Sequence, residues 1–431
     1  MWLAAYEIAG ACALLAAALV WPLLARRGYV TGLAERLGRL PPALLALRAR
    51  PVWIHAASVG EARATSSLVK RLRQVHPDVP IVFSTTTATG RAVAETELAP
   101  DGVTLLPVDA LGIAGRALRR VRPRCLVLIE TEIWPGLVRG ANRLGVPVLV
   151  LSGRLSPRAL RRYRWAAPLF RAVLVRVEGF GMQSDADAER VIALGAPPER
   201  VRVTGSLKQA TRAAEHGPVP LSGLANRRLL VAASTQPGEE SFVLDACREL
   251  WDVFGDLVLL IAPRRPERFD EVEDLVARSG LRYQRRSRVD RDVARETRVV
   301  LLDSIGELPR FYPAAAAVFV GGTVAAMGGH NLLEPAAYGK AVAFGPHTSN
   351  VADAARALRD QGGGHEVHAP GDLTHLWRRI LANPPEGQLI GERARAVVAS
   401  GVAALERNWE VLEPFVCPTG DSALPDNLSE V

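Results

Sequence analysis

The sequence predicts an α/β protein of two domains, each built on a parallel β-sheet wound by helices. Three observations predict this. The chain has 431 residues, more than one typical hydrophobic core holds. Apolar runs of strand length alternate with segments whose apolar residues recur at helical spacing. The alternation stops at a polar stretch rich in turn-forming residues, 209–227, and then begins again, so that stretch is predicted to be a linker.

The first half alternates strands with helical segments such as 61–73 and 135–144. Because helices separate the successive strands, we expect them to pair in parallel within one sheet. The strands are predicted at 52–56, 81–85, 126–129, 146–151, 173–175 and 201–204.

The second half repeats this pattern, with helical segments such as 238–250 and 267–279. Ligands of such sheets bind at the carboxyl ends of the strands, so both domains would direct their loops toward a shared cleft. The strands are predicted at 228–232, 257–261, 299–302, 315–320 and 341–344.

Composition bounds the class of protein. With 48% hydrophobic and 23% charged residues, the chain is globular. The net charge of +8 raises the question of a nucleic-acid partner, but no nucleic-acid motif or interleaved aromatics accompany the basic residues. We therefore expect no nucleic acid, and an anionic lipid surface or a phosphorylated substrate explains the charge equally well. The four cysteines have neither paired nor metal-like spacing, which indicates a reducing compartment and no zinc.

The amino terminus carries a long apolar run without charge. Residues 8–25 contain no charge, and Arg26-Arg27 follow. This length approaches the roughly 20 apolar residues that a membrane-spanning helix needs. The arginines place the following chain on the cytoplasmic side by the positive-inside rule. Glu7 and Pro22 leave an embedded or interfacial helix open, and a buried helix of a soluble protein is the remaining alternative.

These observations give a complete domain prediction. An anchor helix is expected at 1–27 and the first α/β domain at 28–208. The linker at 209–227 leads to the second α/β domain at 228–417. The tail, 418–431, is predicted to be disordered.

The most informative segment runs from residue 315 to 346. An apolar strand reaches a glycine pair at 321–322, a second pair follows at 328–329, and Glu334 stands in the first turn of a predicted helix. Glycines let the backbone approach a phosphate, and free N–H groups at a helix start attract negative charge. Glu334 could accept hydrogen bonds from ribose hydroxyls. The pattern predicts a nucleotide site, with an ordinary tight connection as the alternative.

Charged residues follow several strands of the first half. Ser58 and Glu61 form a capping box at a helix start, which also sets a carboxylate at the edge of the sheet. Glu130 and Glu132 come directly after an apolar strand, where acids are costly unless they are paired or exposed in a cleft. Lys208 follows the last strand before the linker. These residues are candidates for chemistry.

The second half offers basic residues in equivalent places. Arg264 and Arg265 follow a strand, where a guanidinium could hold a phosphate, although solvated surface arginines are equally consistent. Residues 303–308 follow another strand and are predicted to open a helix. In the first half, the acids Asp185 and Asp187 look like a metal-binding pair, but we expect them to cap a helix.

Taken in order, these segments resemble the bacterial 3-deoxy-D-manno-oct-2-ulosonic acid (Kdo) transferases of lipopolysaccharide assembly. The resemblance extends from the amino terminus to about Arg407. It is carried by HAASVGE, IETEIWP, RLSPRAL, QSDADAERVIALGA, TGSLK, STQPGEE, PRRPERF, DSIGELPRFY, VGGT and GGHNLLEPAAYGKAVAFGPHT.

The resemblance implies a GT-B fold, in which two Rossmann-like domains face a central cleft. It also implies inverting, metal-independent transfer of Kdo from CMP-Kdo to a lipid A precursor (lipid IVA). The reaction would occur at the cytoplasmic face of the inner membrane, without a cofactor.

The resemblance also implies roles for individual residues. Glu61 matches the catalytic proton acceptor, and Glu130 and Lys208 match positions that stabilise the transition state. Glu334 matches the ribose ligand. The full set of implied CMP contacts is Pro263, Arg264, Ile305, Gly306, Glu307, Asn331, Leu332, Leu333 and Glu334.

The chain departs from the family pattern at three positions. Family members commonly have His where this chain has Gln236 and Arg265, and Asn where it has Gly153. Two alternative functions remain at this point. One is a UDP-sugar 2-epimerase of the same fold, and the other is a membrane-tethered sugar-nucleotide-binding protein without activity.

Overall fold

The computed structural model describes residues 2, 6, 8–10, 12, 32–110, 112–130, 132–209, 222–224, 226–289 and 292–416. Contacts between residues divide the chain into two compact units. The first unit is Met1–Lys208 together with Ala403–Val431, and the second is Gln209–Val402.

The described part of the first unit contains a sheet of seven parallel strands in the order β3-β2-β1-β4-β5-β6-β7. Every residue of β1, β2, β4 and β5 is buried, as expected when helices cover both faces of a parallel sheet. The strands are β1 (Val52–His55), β2 (Ile81–Thr85), β3 (Gly102–Leu105), β4 (Cys125–Ile129), β5 (Val148–Gly153), β6 (Gly179–Met182) and β7 (Val201–Val203).

Helices connect these strands. Where a helix begins at a sheet edge, a serine or threonine often caps it, as Ser58, Thr87 and Ser184 do. The helices are α1 (Leu33–Arg36), α2 (Pro42–Leu45), α3 (Val59–Ala64), α4 (Ser66–Val75), α5 (Ala88–Val93), α6 (Ile113–Val121), α7 (Pro135–Arg143), α8 (Pro157–Arg164), α9 (Ala167–Leu174) and α10 (Asp185–Leu194).

The described part of the second unit also contains seven parallel strands, in the order β10-β11-β9-β8-β12-β13-β14. The strands are β8 (Leu229–Thr235), β9 (Val258–Pro263), β10 (Tyr283–Arg285), β11 (Val299–Leu301), β12 (Ala315–Val320), β13 (Ala341–Phe344) and β14 (Gly364–Glu366). The helices are α11 (Glu239–Val253), α12 (Phe269–Arg278), α13 (Leu333–Ala337), α14 (Ala352–Asp360), α15 (Pro370–Ala382) and α16 (Pro384–Val416).

The prediction of two parallel-sheet α/β domains is confirmed. Strands at 81–85, 315–320 and 341–344 have the predicted bounds. The predicted strand at 173–175 is wrong, because Val173 lies in α9 and the strand of that region is the glycine-containing β6. A short apolar run fits the buried side of a helix as well as a strand. The predicted helix at 61–73 is divided at Thr65 into α3 and α4.

Helix α16 begins in the second unit, but its residues from Ala403 onward cluster with the first unit. The predicted boundary at 417 therefore differs from the contact division. The fully buried Asn408 is one of several residues that tie this part of α16 to the first unit. Its side-chain oxygen accepts hydrogen bonds from the Ser152 backbone N–H (3.0 Å) and the Thr204 hydroxyl (3.1 Å), and its nitrogen donates to the Gly205 carbonyl (3.3 Å).

Most of the predicted anchor at 1–27, most of the linker at 209–227 and the tail at 418–431 lie outside the described residues. Among the residues that are described, no helix combines the length and the apolar character needed to cross a bilayer.

We predict that Asn408→Ala lowers the free energy of unfolding by about 3 kcal/mol. The change leaves the buried Ser152 N–H without an acceptor and the Thr204 hydroxyl with only the Met182 carbonyl at 3.4 Å, and a buried group that loses its partner costs about 1–3 kcal/mol. Unfolding in urea would measure this loss of stability. The matched control is Asn142→Ala, at an exposed position in α7, which should change the stability by less than about 0.5 kcal/mol. Equal effects of the two variants would contradict the prediction.

Candidate active site

Acidic side chains gather at the carboxyl edge of the first sheet. Glu61 stands in the first turn of α3, after β1. Its N–H donates to the Ser58 hydroxyl (3.2 Å), and its carboxylate accepts from the Ala57 N–H (2.7 Å). The predicted N-cap at Ser58 is therefore confirmed, whereas the carboxylate of the predicted capping box binds the N–H of Ala57 and not that of Ser58. Glu130 and Glu132 follow β4, the neighbour of β1, and both lie close enough to act on the charge of Glu61.

The surroundings of Glu61 raise the pKa of its carboxyl group. Burial makes the largest contribution, because the charged form loses water. The Ala57 N–H opposes this shift, while the negative charges of Glu130 and Glu132 add to it. Burial together with neighbouring carboxylates is the kind of environment that brings a glutamate toward the pKa of a general base.

Glu130 is held by two constraints. Its backbone has a φ of 59°, in the left-handed region that non-glycine residues rarely adopt. Its side-chain oxygen lies 2.9 Å from the ammonium nitrogen of Lys208, and both side chains are largely buried. Such a pair neutralises two charges that would be costly to bury singly. The structure thus brings together Glu61, Glu130 and Lys208, the three candidate catalytic residues of the sequence analysis.

The segment before Lys208 is fixed by hydrogen bonds. Ser152, at the end of β5, has a left-handed backbone (φ 52°), and its hydroxyl accepts from the Leu207 N–H at 3.2 Å. Asn408 in turn binds the Ser152 N–H and the Gly205 carbonyl. The position of Lys208 therefore depends on α16 as well as on β5.

In the second unit, the glycine-rich loop after β12 already holds an anion, the carboxylate of Glu239. This side chain is fully buried at the start of α11. One oxygen accepts from the N–H groups of Gln236 (2.9 Å) and Gly322 (2.7 Å). The other accepts from the N–H groups of the next three loop residues, 323–325, at 2.9–3.0 Å. The N–H groups of residues 322–325 are therefore already occupied, and a phosphate at this loop would compete with Glu239 for them.

His330 lies between this loop and Arg264. Its Nε2 is 3.0 Å from the amide nitrogen of Gln236, which can only donate, so Nε2 carries the lone pair. Burial lowers the pKa of His330, and the positive charge of Arg264 lowers it further. Arg264 itself is exposed after β9, with its N–H bound to the Thr235 carbonyl, while Pro263 is buried. A neutral His330 near the exposed Arg264 could donate a hydrogen bond to a phosphate, while Arg264 supplies the positive charge.

Glu334 lies in α13, half-buried, and accepts a hydrogen bond from the Tyr312 hydroxyl at 3.3 Å. Burial raises the pKa of Tyr312, and the charge of Glu334 raises it further, so the phenol stays protonated. Asn331 is exposed, with its side chain bound to the Leu333 N–H. Leu332 and Leu333 are core residues, so only their main chain is available to a ligand.

The predicted helix at 303–308 is absent from the described structure, and two short 3₁₀ turns (Leu308–Arg310 and Tyr312–Ala314) stand before β12 instead. Pro309 limits regular helix there because it lacks an N–H group. Ile305 and Gly306 are exposed, and Gly306 has a φ of 84°. Glu307 is paired with Arg286 at 3.0 Å. A contact from Glu307 to a nucleotide would therefore compete with that pair.

Two of the three departures have structural explanations, and the third, Arg265, has none. A Cβ atom at Gly153 would lie 2.6 Å from the sulfur of Met182, so Met182 fills the space of a side chain there. Gln236 binds His330, and Arg265 is exposed. Asp185 and Asp187 stand in the first turn of α10, as predicted, but the cap itself is Ser184, and the Asp187 carboxylate accepts from the Leu155 N–H and the Ser184 hydroxyl.

Sequence reasoning missed Glu239 and His330. The sequence did contain a signal for Glu239, because two adjacent acids, 239 and 240, stand at the start of a predicted helix. Both are fully buried, and Glu240 is bound by two nitrogens of Arg268 at 2.7 and 3.1 Å.

Comparison with known proteins identifies relatives of the whole chain. A family model described as 3-deoxy-D-manno-octulosonic-acid transferase (kdotransferase) matches residues 31–211. The 3-deoxy-D-manno-octulosonic acid transferase of Bordetella pertussis is 35% identical over 427 residues, which cover 93% of this chain and 97% of that protein. The Haemophilus influenzae protein of the same name is 32% identical, with 90% and 92% covered.

Among solved structures, the C-terminal CMP-Kdo binding domain of WaaA from Acinetobacter baumannii is similar to part of the chain. The identity is 31%, and the match covers 41% of this chain and 91% of that domain, with a TM-score of 0.39.

We predict that Glu239→Gln lowers the free energy of unfolding by about 2–4 kcal/mol. An amide NH₂ group would face backbone N–H donors that have no other acceptor, and buried donors without partners are costly. Hydrogen exchange should show lost protection at residues 322–325.

The control is Glu249→Gln, in the same helix with a side chain 72% exposed, which should leave both quantities unchanged. Full protection of residues 322–325 in the Glu239 variant would show that the carboxylate does not hold the loop.

Proposed function

The chain belongs to the 3-deoxy-D-manno-octulosonic acid (Kdo) transferase family, and from that premise we propose that it moves Kdo from CMP-Kdo to a lipid A precursor, lipid IVA. We propose an inverting reaction without a metal, at the cytoplasmic face of the inner membrane. The GT-B arrangement, with an acceptor unit and a donor unit, is part of this proposal. The observation that carries it is the cluster of Glu61, Glu130 and Lys208, with Glu61 in surroundings that suit a general base.

In the proposed reaction, Glu61 takes the proton from an acceptor hydroxyl. The hydroxyl oxygen then attacks the anomeric carbon of Kdo as the bond from that carbon to the CMP phosphate breaks, so the configuration inverts. A positioned base contributes about 10²–10⁴-fold to such a step. Because a base must be ionised to act, the raised pKa of Glu61 sets the acid limit of the activity.

The Lys208–Glu130 pair is proposed to stabilise the transition state as a unit. Lys208 brings a positive charge toward the negative charge that grows on the leaving phosphate, and Glu130 fixes the ammonium group at 2.9 Å. In the second unit, Arg264 and the neutral His330 are proposed to bind the cytidylate phosphate, and Glu334 the ribose.

Two features support a lipid acceptor. The uncharged run at 8–25 is proposed to anchor the chain. In addition, residues 133–177 contain nine arginines and no acid. Helix α8 in this span has no buried residue, and Trp165 beside it is 91% exposed. Arginine and tryptophan together suit the phosphate level of a membrane surface.

The test is an assay with CMP-Kdo and tetraacylated lipid A precursor. The wild-type chain should release CMP and give a lipid whose mass has increased by Kdo. We predict that Glu61→Gln lowers kcat/KM by about 10²–10⁴-fold, since an amide cannot take the proton. CMP binding should be unchanged, because the proposed CMP residues belong to the other unit.

The control is Glu95→Gln, at an exposed position in the same unit, which should retain full activity. Transfer at the wild-type rate by Glu61→Gln would remove that residue from its role. Isomerisation of UDP-sugars alone would favour the epimerase alternative, and CMP binding without turnover would favour the non-catalytic one.

We also predict the direction of a pH effect. Protonation of Glu61 abolishes the base, so activity falls as the pH drops through its pKa. Glu132→Gln removes a negative charge that raises this pKa, and it should therefore shift the acid limb of the kcat/KM profile to lower pH.

Glu97→Gln is the control, because Glu97 is exposed and paired with Arg63. Its profile should match that of the wild type. A shift of the Glu132 variant toward higher pH would contradict the assignment.

A further inference from the structure

A second candidate site lies at the opposite, amino edge of the first sheet. A cavity of about 790 Å³ opens there between the segment before β1 and the end of α6. Its volume is in the range of ligand pockets. Its lining combines the leucines at 44, 45 and 47 with the arginines at 48, 50, 119, 120 and 122. Leu45 is 52% exposed, although it is large and apolar.

These arginines are not neutralised by acidic side chains. Among the described residues, no carboxylate forms an ion pair with any of the five, or with Arg124 beside them. Arg50 and Arg120 are held by backbone carbonyls, of Pro123 (3.0 Å) and Gly38 (3.0 Å) respectively. Burial lowers the pKa of Arg50, and the charges of Arg124 and Arg122 lower it further. The cluster therefore concentrates positive charge around an open cavity.

A simpler explanation accounts for part of the cluster. Arg119 and Arg120 lie in the last turn of α6, where cations favour the helix dipole. The helix dipole does not account for Arg48 and Arg50, which belong to a different segment and line the same cavity. Nor does it explain why leucines share the lining with guanidinium groups.

The site is separate from the candidate active site. Arg50 lies two residues before β1 and Arg124 directly before β4, and the Arg124 N–H donates to the Pro51 carbonyl at 2.7 Å. Glu61 and Glu130 follow the other ends of the same two strands. The cavity can therefore be tested without changing the proposed catalytic residues.

We propose that this cavity binds the phosphate headgroup of an anionic amphiphile. Guanidinium groups bind phosphate through paired N–H donors. The exposed leucine side chain would contact the first carbons of the apolar part, which lets the site prefer a lipid over a soluble phosphate. The occupant is an anionic membrane lipid, and its binding does not depend on the transfer reaction.

The test uses the full chain in an uncharged detergent and counts bound lipids by native mass spectrometry. The probes are phosphatidylglycerol, phosphatidylcholine as the neutral-headgroup comparison, and inorganic phosphate followed by calorimetry. The test variant, Arg48→Gln/Arg119→Gln/Arg122→Gln, removes three arginines whose side chains form no hydrogen bond within the described structure. It should bind phosphatidylglycerol at least about tenfold more weakly than the wild type, since each arginine near a phosphate surface contributes about fivefold.

The matched control removes the same charge from exposed positions of the second unit, Arg278→Gln/Arg282→Gln/Arg393→Gln, and should bind like the wild type. Leu45→Gln should weaken lipid binding and leave any binding of inorganic phosphate unchanged. Equal affinity of the two triple variants would overturn the site, as would equal binding of phosphatidylcholine. Binding of inorganic phosphate as tight as that of the lipid would overturn the preference for an amphiphile.

Discussion

The need to supply donors to buried carboxylates shapes both units of this chain. Glu239 is fully buried and accepts from five backbone N–H groups, which fixes the loop after β12 against the start of α11. Glu130 meets the same need with the ammonium group of Lys208. Glu61 meets it only in part, through the N–H of Ala57, and its pKa rises accordingly. A buried carboxylate that accepts a full set of hydrogen bonds stays ionised and has a structural role. A carboxylate that accepts only part of such a set is able to take a proton.

Much of the fold could be predicted because parallel strands buried on both faces leave continuous apolar runs. β2, β12 and β13 are such runs, and their bounds were predicted correctly. The strand β3 was missed although it is fully buried, whereas two other missed or misplaced strands lack this signal. β6 reads GFGM, with two glycines, and the edge strand β10 is only partly buried. Their pairing is decided by neighbouring strands, which a single sequence does not reveal.

The candidate site was predictable where a residue follows a strong strand, as with Glu61, Glu130 and Arg264. The candidate site was not predictable where a side chain of the protein occupies the N–H groups that a ligand would otherwise bind. The loop at 321–325 has the composition of an anion cradle, and it is one, but Glu239 arrives from a segment more than eighty positions earlier. Likewise, Glu307 carries a suitable carboxylate whose pairing with Arg286 depends on β10 and its flanking turn.

The course of α16 has a practical consequence for dissecting the chain. A fragment ending at Lys208 would include all seven described strands of the first sheet, yet it would leave out the amide of Asn408 and the buried Trp409 and Leu412. The polypeptide thus leaves the first unit at 208 and returns to it at 403. An autonomous version of this unit requires residues 403–416 to be supplied again, either as a separate peptide or by a fusion that rejoins them to its amino-terminal portion.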